Sequence, residues 1–325
     1  MVFFITVLRA LAACLITNSH YTGIYPTDLI ANGGLLGDII FFAVSGYCLY
    51  NVKGNFFKWY GKRLLRIYPV VILITIIYMF LGFYSLKTND FFWWFIYPTN
   101  YHFLSSIVVL YIPYYVVMKI KQTRENIPMV MIIVLMLYII VYVFIYDKSY
   151  YHIDTVIEPM IWFLYFESML LGVYFKSNDQ KFRNKPNFII GVIGTVVSFV
   201  GYFASKLLFS SYPSISSLQI VNQLAIFTLL FCMFRLFASI DSKLEKMPKP
   251  IKKVAEFLAK ITLEIYVVQI ELILLIRPHL SFPINWLAIT ASILIAAFAL
   301  HLLNNLILKA INKIFEGKTK KQNVG

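Results

Sequence analysis

A histidine can take a proton from a hydroxyl near neutral pH. His20 closes the first apolar run of this chain, and Arg9 lies eleven residues before it. Eleven residues of α-helix make three turns plus roughly 20° and rise roughly 16 Å, so the two side chains share one face at different depths. Asp38 belongs to the second apolar run, Gly37-Asp-Ile-Ile-Phe-Phe-Ala-Val-Ser45-Gly46, and falls at about the depth of His20 if the two runs cross a bilayer in opposite directions. A carboxylate there can hold one imidazole nitrogen and leave the other as a base. Arg63 and Arg66, three apart in Trp59-Tyr-Gly-Lys-Arg-Leu-Leu-Arg-Ile-Tyr-Pro69, project from one helix face and suit phosphate oxygens as a guanidinium pair. Each feature has a plainer reading. Arg9 can snorkel to the headgroups, and His20 can sit at the interface beside Tyr21 and Tyr25. Ser45-Gly46 can simply let helices approach, and Arg63 and Arg66 can be ordinary inner-loop charge.

The elements that must position these residues follow from composition. Of 325 residues, 60% are hydrophobic and 14% charged, and the mean hydropathy is +0.75. One soluble core could not hide that much apolar surface, so the chain is expected to be an all-α, polytopic membrane protein. Apolar runs long enough to cross hydrocarbon fall near 2–21, 34–52, 67–85, 101–118, 128–146, 159–175, 187–205, 219–238, 259–277 and 284–308. The first reads as a retained span, because no basic leader with a small-residue cleavage site precedes it. The aromatic run 91–104, broken by Pro98, reads as interfacial. The longest polar stretch, Ser239–Lys260, contains Pro248 and Pro250 and reads as a loop. The expected domains are a single transmembrane domain, 1–315, and a short basic tail, 316–325.

Net charge is +14, which invites a nucleic-acid reading until its distribution is considered. Loops after even-numbered runs, with the C-terminal tail, hold 24 of the 29 Lys and Arg; Lys87, Lys148, Lys206 and Arg277 lie on the other side. The excess of cations in short inner loops places both termini in the cytoplasm, and no nucleic acid is expected. Cys14, Cys48 and Cys232 all lie in apolar segments, so no disulfide framework or zinc site is indicated.

Glu167 lies midway along the sixth run, with Glu264 and Glu271 seven apart on one face of the ninth. Carboxylates at such depth either counter Arg9 or line a wet cavity. His102, His152, His279 and His301 have no metal-ligand spacing and read as interfacial or packing residues; no metal is expected. The sequence contains no Walker loop, dinucleotide fingerprint, nucleophile elbow or zinc motif.

Taken together, these features resemble the membrane-bound acyltransferase family 3. The resemblance rests on Leu8-Arg9 followed by ten residues and His20, on Phe41-Phe42-Ala-Val-Ser45-Gly46-Tyr47, and on Arg63-Leu-Leu-Arg66-Ile-Tyr68-Pro69, in the family's order and with ten runs. It implies transfer of an acyl group, usually acetyl from cytoplasmic acetyl-CoA as co-substrate, to a hydroxyl of a cell-surface carbohydrate or its lipid-linked precursor at the plasma membrane. His20 would be catalytic and Arg9 its companion; Asp38, from its type and depth alone, is the candidate to orient His20. Arg63, Arg66, Ser45, Tyr68, Glu167, Glu264 and Gln269 would serve the substrates. Gln269, in Leu263-Glu-Ile-Tyr266-Val-Val-Gln269, stands where relatives often carry a second histidine, and an amide cannot shuttle a proton. Beyond membrane lipid, candidate partners are a second copy of the chain or glycan-assembly proteins. Two other classes stay open: a glycan exporter lined by the same charges, and a non-catalytic subunit of a glycan synthesis complex.

The one-sided cations generate a topology test. In a background lacking Cys14, Cys48 and Cys232, Lys320→Cys should be labelled by a membrane-impermeant thiol reagent only after the cytoplasmic face is exposed. Labelling of intact cells at this position would reverse the orientation.

Overall fold

The computed structural model describes residues 2–98, 101–155, 159–183 and 186–322. Lys185, one of the expected inner-loop cations, and the last three residues of the expected tail lie outside the described residues. In chain order the helices are α1 (Phe3–Ser19), α2 (Gly34–Cys48), α3 (Phe56–Phe80), α4 (His102–Lys119), α5 (Lys121–Glu125), α6 (Ile127–Phe144) and α7 (Ile161–Ser177). There follow α8 (Asp179–Phe182), α9 (Pro186–Ser211), α10 (Ile220–Ser239), α11 (Asp241–Leu244), α12 (Lys249–Lys260), α13 (Thr262–Ile276) and α14 (Ile284–Gln322). No strand occurs among the described residues, as expected where the backbone must satisfy itself without water.

Every expected apolar run falls on a helix. By length and composition, α3, α4, α6, α10 and most of α9 and α14 can cross a membrane, six such helices among the described residues, while α1 and α2 are shorter apolar helices. The chain divides into two compact units. The first comprises residues 1–16, 33–60 and 102–260, and the second 17–32, 61–101 and 261–325.

Two boundaries differ from expectation, each for a local reason. The third apolar run starts near 67, yet α3 begins at Phe56. The Asn55 carboxamide oxygen accepts the Lys58 amide at 3.0 Å, a side-chain cap that starts the helix about three turns early. Pro69 consequently lies inside the helix rather than at its start. The stretch Ser239–Lys260 is not a loop but carries α11 and α12. Pro250 occupies the first turn of α12, where a missing N–H costs nothing. Ile251 and Val254 remain more than half exposed on α12, among Lys249, Lys252 and Lys253.

In the first unit, α2 and α7 meet backbone to backbone. A methyl group on Gly46 would stand 1.9 Å from the Met169 carbonyl oxygen, and one on Gly172 would stand 1.9 Å from that of Ala43. Dispersion and close approach, rather than a hydrophobic drive, hold helices together in hydrocarbon, so small residues mark the seam. Tyr114 of α4 reaches the same place and donates to the Gly46 carbonyl at 3.0 Å. Gly46→Ala and Gly172→Ala should each destabilise the protein by about 1–3 kcal/mol or more, because the neighbour is backbone and cannot swing away. Gly61→Ala meets nothing within 4 Å and should be neutral or mildly stabilising within α3. Thermal unfolding of the three variants in detergent checks this; equal midpoints would refute the seam.

Candidate active site

Arg9, Asp38, Ser45 and Glu167 belong to the first unit. Asp38 is 6% exposed, and its carboxylate accepts a hydrogen bond from Tyr165 of α7 at 2.9 Å. The Tyr165 ring stacks on Phe42, centroids 4.3 Å apart, and Phe42 in turn packs edge-on against Phe103. One turn of α2 thus fixes both the acid and the aromatic wall behind it. Ser45 is buried beside Gly46 at the α2–α7 seam. Arg9 is half-buried on α1, and its Nε lies out of water without a hydrogen-bond partner among the described residues. Glu167 is 6% exposed, with Oε1 likewise unpartnered among them.

The helix that carries Arg9 is anchored at its start by residues that sequence reading passed over. The Phe4 amide, one of the orphan donors at the α1 N-terminus, donates to Asp241 Oδ1 at 2.7 Å. Arg183 NH1 donates to Asp241 Oδ2 at 2.9 Å and its Nε to Asp179 Oδ2 at 3.0 Å. Asp179 also accepts the Tyr47 hydroxyl of α2 at 2.8 Å. Burial pushes the Asp241 carboxyl above its ordinary range, while the Phe4 amide and the Arg183 guanidinium pull it back in part. Apart from Arg183 and Asp179, which are four apart, these partners lie more than fifty positions from one another, so their spacing offers no local signal.

His20, Arg63, Arg66, Tyr68, Glu264 and Gln269 belong to the second unit. His20 follows the last residue of α1, its amide donating to the Thr17 carbonyl at 3.1 Å, with its side chain half-buried. The turn around it is tied down. Asn18 donates to the carbonyls of Ile30 and Asn32 at 2.7 and 2.9 Å, and accepts the Tyr25 hydroxyl at 2.7 Å. The Tyr21 hydroxyl bonds Thr290 of α14 at 2.9 Å. One turn before His20, the Thr17 hydroxyl donates to Gln269 Oε1 at 2.8 Å, so Gln269 is a brace for the end of α1. Its Nε2 is buried and unpartnered among the described residues.

Glu264 is not a free intramembrane charge. His301 Nδ1 and Glu264 Oε1 are 2.7 Å apart, and Asn305 Nδ2 donates to His301 Nε2 at 2.9 Å. Since the amide nitrogen can only donate, Nε2 accepts and Nδ1 carries the proton given to Glu264. His301, expected as an interfacial or packing residue, is therefore a hydrogen-bonding partner between α13 and α14. His152 does pack as expected, stacked between Tyr146 and Tyr150 at 4.7 and 4.1 Å. Arg63 and Arg66 lie on α3, the former half-buried and the latter exposed. Tyr68, two residues on, donates to the Ile96 carbonyl at 2.5 Å.

The first unit also holds a cavity of about 740 Å³ where α2, α5, α6 and α7 end or begin, lined in part by Tyr50, Lys53, Arg124, Tyr174 and Asn178. Among the described residues, no three His, Cys, Asp or Glu side chains gather as a metal site. Compared with known proteins, the sequence matches a family described as an acyltransferase domain, acyltransferase 3, over residues 2–303. No curated protein and no solved structure matches it. A match that runs from α1 into α14, through helices apolar and long enough to cross a bilayer, makes the conclusion plain: the chain belongs to the acyltransferase 3 family and is a membrane acyltransferase.

Proposed function

We propose that the chain spans the plasma membrane ten times with both termini cytoplasmic, as one acyltransferase domain over 1–315 with a short tail, 316–325. It moves acetyl from acetyl-CoA to a hydroxyl of a surface polysaccharide or its lipid-linked precursor. The observation that carries this reading is the family match over residues 2–303. The tied turn that presents His20 at the end of α1 supports it.

In this reaction His20 removes the proton of the acceptor hydroxyl as its oxygen attacks the thioester carbonyl. The tetrahedral oxyanion then collapses, the C–S bond breaks, and the coenzyme A thiolate leaves and recovers the proton. An acyl-histidine relay through the same imidazole fits the residue equally well. Arg9, whose Nε is buried and unpartnered among the described residues, would stabilise negative charge. Arg63 and Arg66, with Tyr68 in the same motif, would hold the phosphates of the donor. Gln269 and Glu264 would hold α1, α13 and α14 in place rather than touch the reacting atoms.

His20→Ala should lower acetyl transfer from labelled acetyl-CoA to isolated surface glycan by about 10²–10⁴, with membrane insertion and unfolding temperature unchanged. Near-normal transfer would remove His20 from the chemistry. Absence of transfer by the parent protein, with glycan flux across vesicles instead, would favour the exporter reading.

Arg63→Ala and Arg66→Ala should each weaken acetyl-CoA binding by about 1.5–3 kcal/mol, roughly ten- to a hundred-fold, with only partial rescue by lysine. Neutralising Lys318, Lys320 and Lys321 together should leave affinity unchanged. Loss of binding in Lys53→Ala and Arg124→Ala instead would move the donor to the 740 Å³ cavity.

A further inference from the structure

Helix α12 carries two kinds of surface on one short cylinder. At about 100° per residue, Ile251, Val254, Ala255 and Leu258 form one stripe about 100° wide, the pattern of an amphipathic helix. Lys249, Lys253 and Lys260 cluster within about 40° on the opposite side. Its 12 residues rise about 18 Å, against roughly 30 Å of hydrocarbon, so α12 cannot cross a bilayer.

The fold uses only part of this surface. Ala259 is buried, and Lys252, on the same flank two turns earlier, sets its ammonium 4.8 Å from the Phe3 ring centroid of α1. These contacts hold α12 on the first unit from one side. Ile251 and Val254, turned away from that flank, are 55% and 57% exposed. The cationic side is open as well, with Lys249, Lys253 and Lys260 all exposed.

Position and charge identify what covers the open sides. α10 can cross a membrane and ends at Ser239, so the segment leading to Lys249 reaches at most about 35 Å even when fully extended. Beyond Lys260 a single residue, Ile261, leads into the apolar helix α13. α12 is therefore tethered at a membrane face, where a bilayer is always within reach. Lys243, Lys246, Lys249, Lys252, Lys253 and Lys260 fall close together in the chain, against Glu245 and Glu256. A basic cluster of this size beside a membrane-crossing helix matches anionic headgroups. The cores of protein–protein interfaces are instead depleted in lysine. An amphipathic helix sunk about 5–10 Å into the boundary of headgroups and acyl chains buries its apolar stripe and keeps its cationic side among the phosphates.

We propose that α12 is an interfacial helix that binds anionic phospholipid. Ile251 and Val254 enter the acyl-chain boundary, while Lys249, Lys253 and Lys260, with Lys243 and Lys246 before them, hold headgroup phosphates. The surface draws on no residue assigned to the acetyl-transfer step or to donor binding above, so it stands whether or not that reaction is right.

The test uses the full-length protein lacking Cys14, Cys48 and Cys232, reconstituted in nanodiscs of equal phosphatidylcholine and phosphatidylglycerol. A fluorescent thiol label on Ile251→Cys should be quenched by brominated acyl chains, and one on Glu256→Cys by aqueous iodide instead. Val254→Cys repeats the first measurement should Ile251→Cys fold poorly. Bromine carried on phosphatidylglycerol should report local association at the apolar label at least roughly fivefold stronger than bromine carried on phosphatidylcholine. Replacing Lys249, Lys253 and Lys260 together by Gln should abolish that preference. The same replacement of Lys58, Lys119 and Lys121, equal in charge, should leave it intact. Iodide quenching at both apolar positions, equal association of the two lipids, or equal loss in the two triple variants would overturn the site. So would protection of the apolar label in detergent that rises with protein concentration, which would place a second copy of the chain on this face.

Discussion

The α2–α7 seam is the constraint on which the first unit depends. At Gly46 and Gly172 the two backbones are so close that a single methyl group would collide with a carbonyl oxygen. In hydrocarbon no water can repair a poor fit, and apolar side chains gain little by leaving lipid for one another. Contact distance therefore carries the packing energy. It also decides which polar groups can meet. Asp38 receives the Tyr165 hydroxyl because the seam holds the N-terminal half of α2 against α7, and Tyr114 bonds the Gly46 carbonyl at the same junction. Ser45, read as part of a motif, is confined by the glycine beside it.

The second dependence is that of α1 on its two ends. At the start, the Asp241 carboxylate satisfies the Phe4 amide and is itself held by Arg183. At the finish, Thr17 is bound to Gln269, and Asn18 ties the following turn. A short apolar helix has little intrinsic stability and few ways to resist rotation. The first tie fixes the opening turn of α1 within the first unit, and the second fixes the turn that presents His20 within the second. Gln269 thus has work to do that a histidine would perform differently. An amide donates and accepts at fixed atoms, independent of pH, so the brace persists across the range in which an imidazole would titrate.

Much of the chain was legible in advance because bilayer physics writes itself into composition. Ten apolar runs each became a helix, for the reason that only a helix satisfies its backbone within one segment. The boundaries that moved did so through capping and proline position: Asn55 started α3 early, and Pro250 opened α12 instead of preventing it. The motif residues Arg9, His20, Arg63 and Arg66 were visible by type and spacing. The partners that hold this region together were not. Tyr165 lies 127 residues from Asp38, Asp241 lies 237 from Phe4, and Gln269 lies 252 from Thr17.

By itself the sequence determined the solvent of this protein, its helical class and the chemical repertoire of its first three apolar runs, since those follow from hydropathy, side-chain type and one-dimensional spacing. Only the tertiary structure decided which polar groups are spent and which are free. Glu264 read as a carboxylate inside the membrane and His301 as an interfacial or packing residue, and the two proved to be each other's partner. Glu167, Gln223 and Tyr138 lie on three different helices, and they come together only once α6 and α10 flank α7. Hydrogen bonds act over about 3 Å and require direction, and which atoms come within that reach is a property of packed helices, not of residue order.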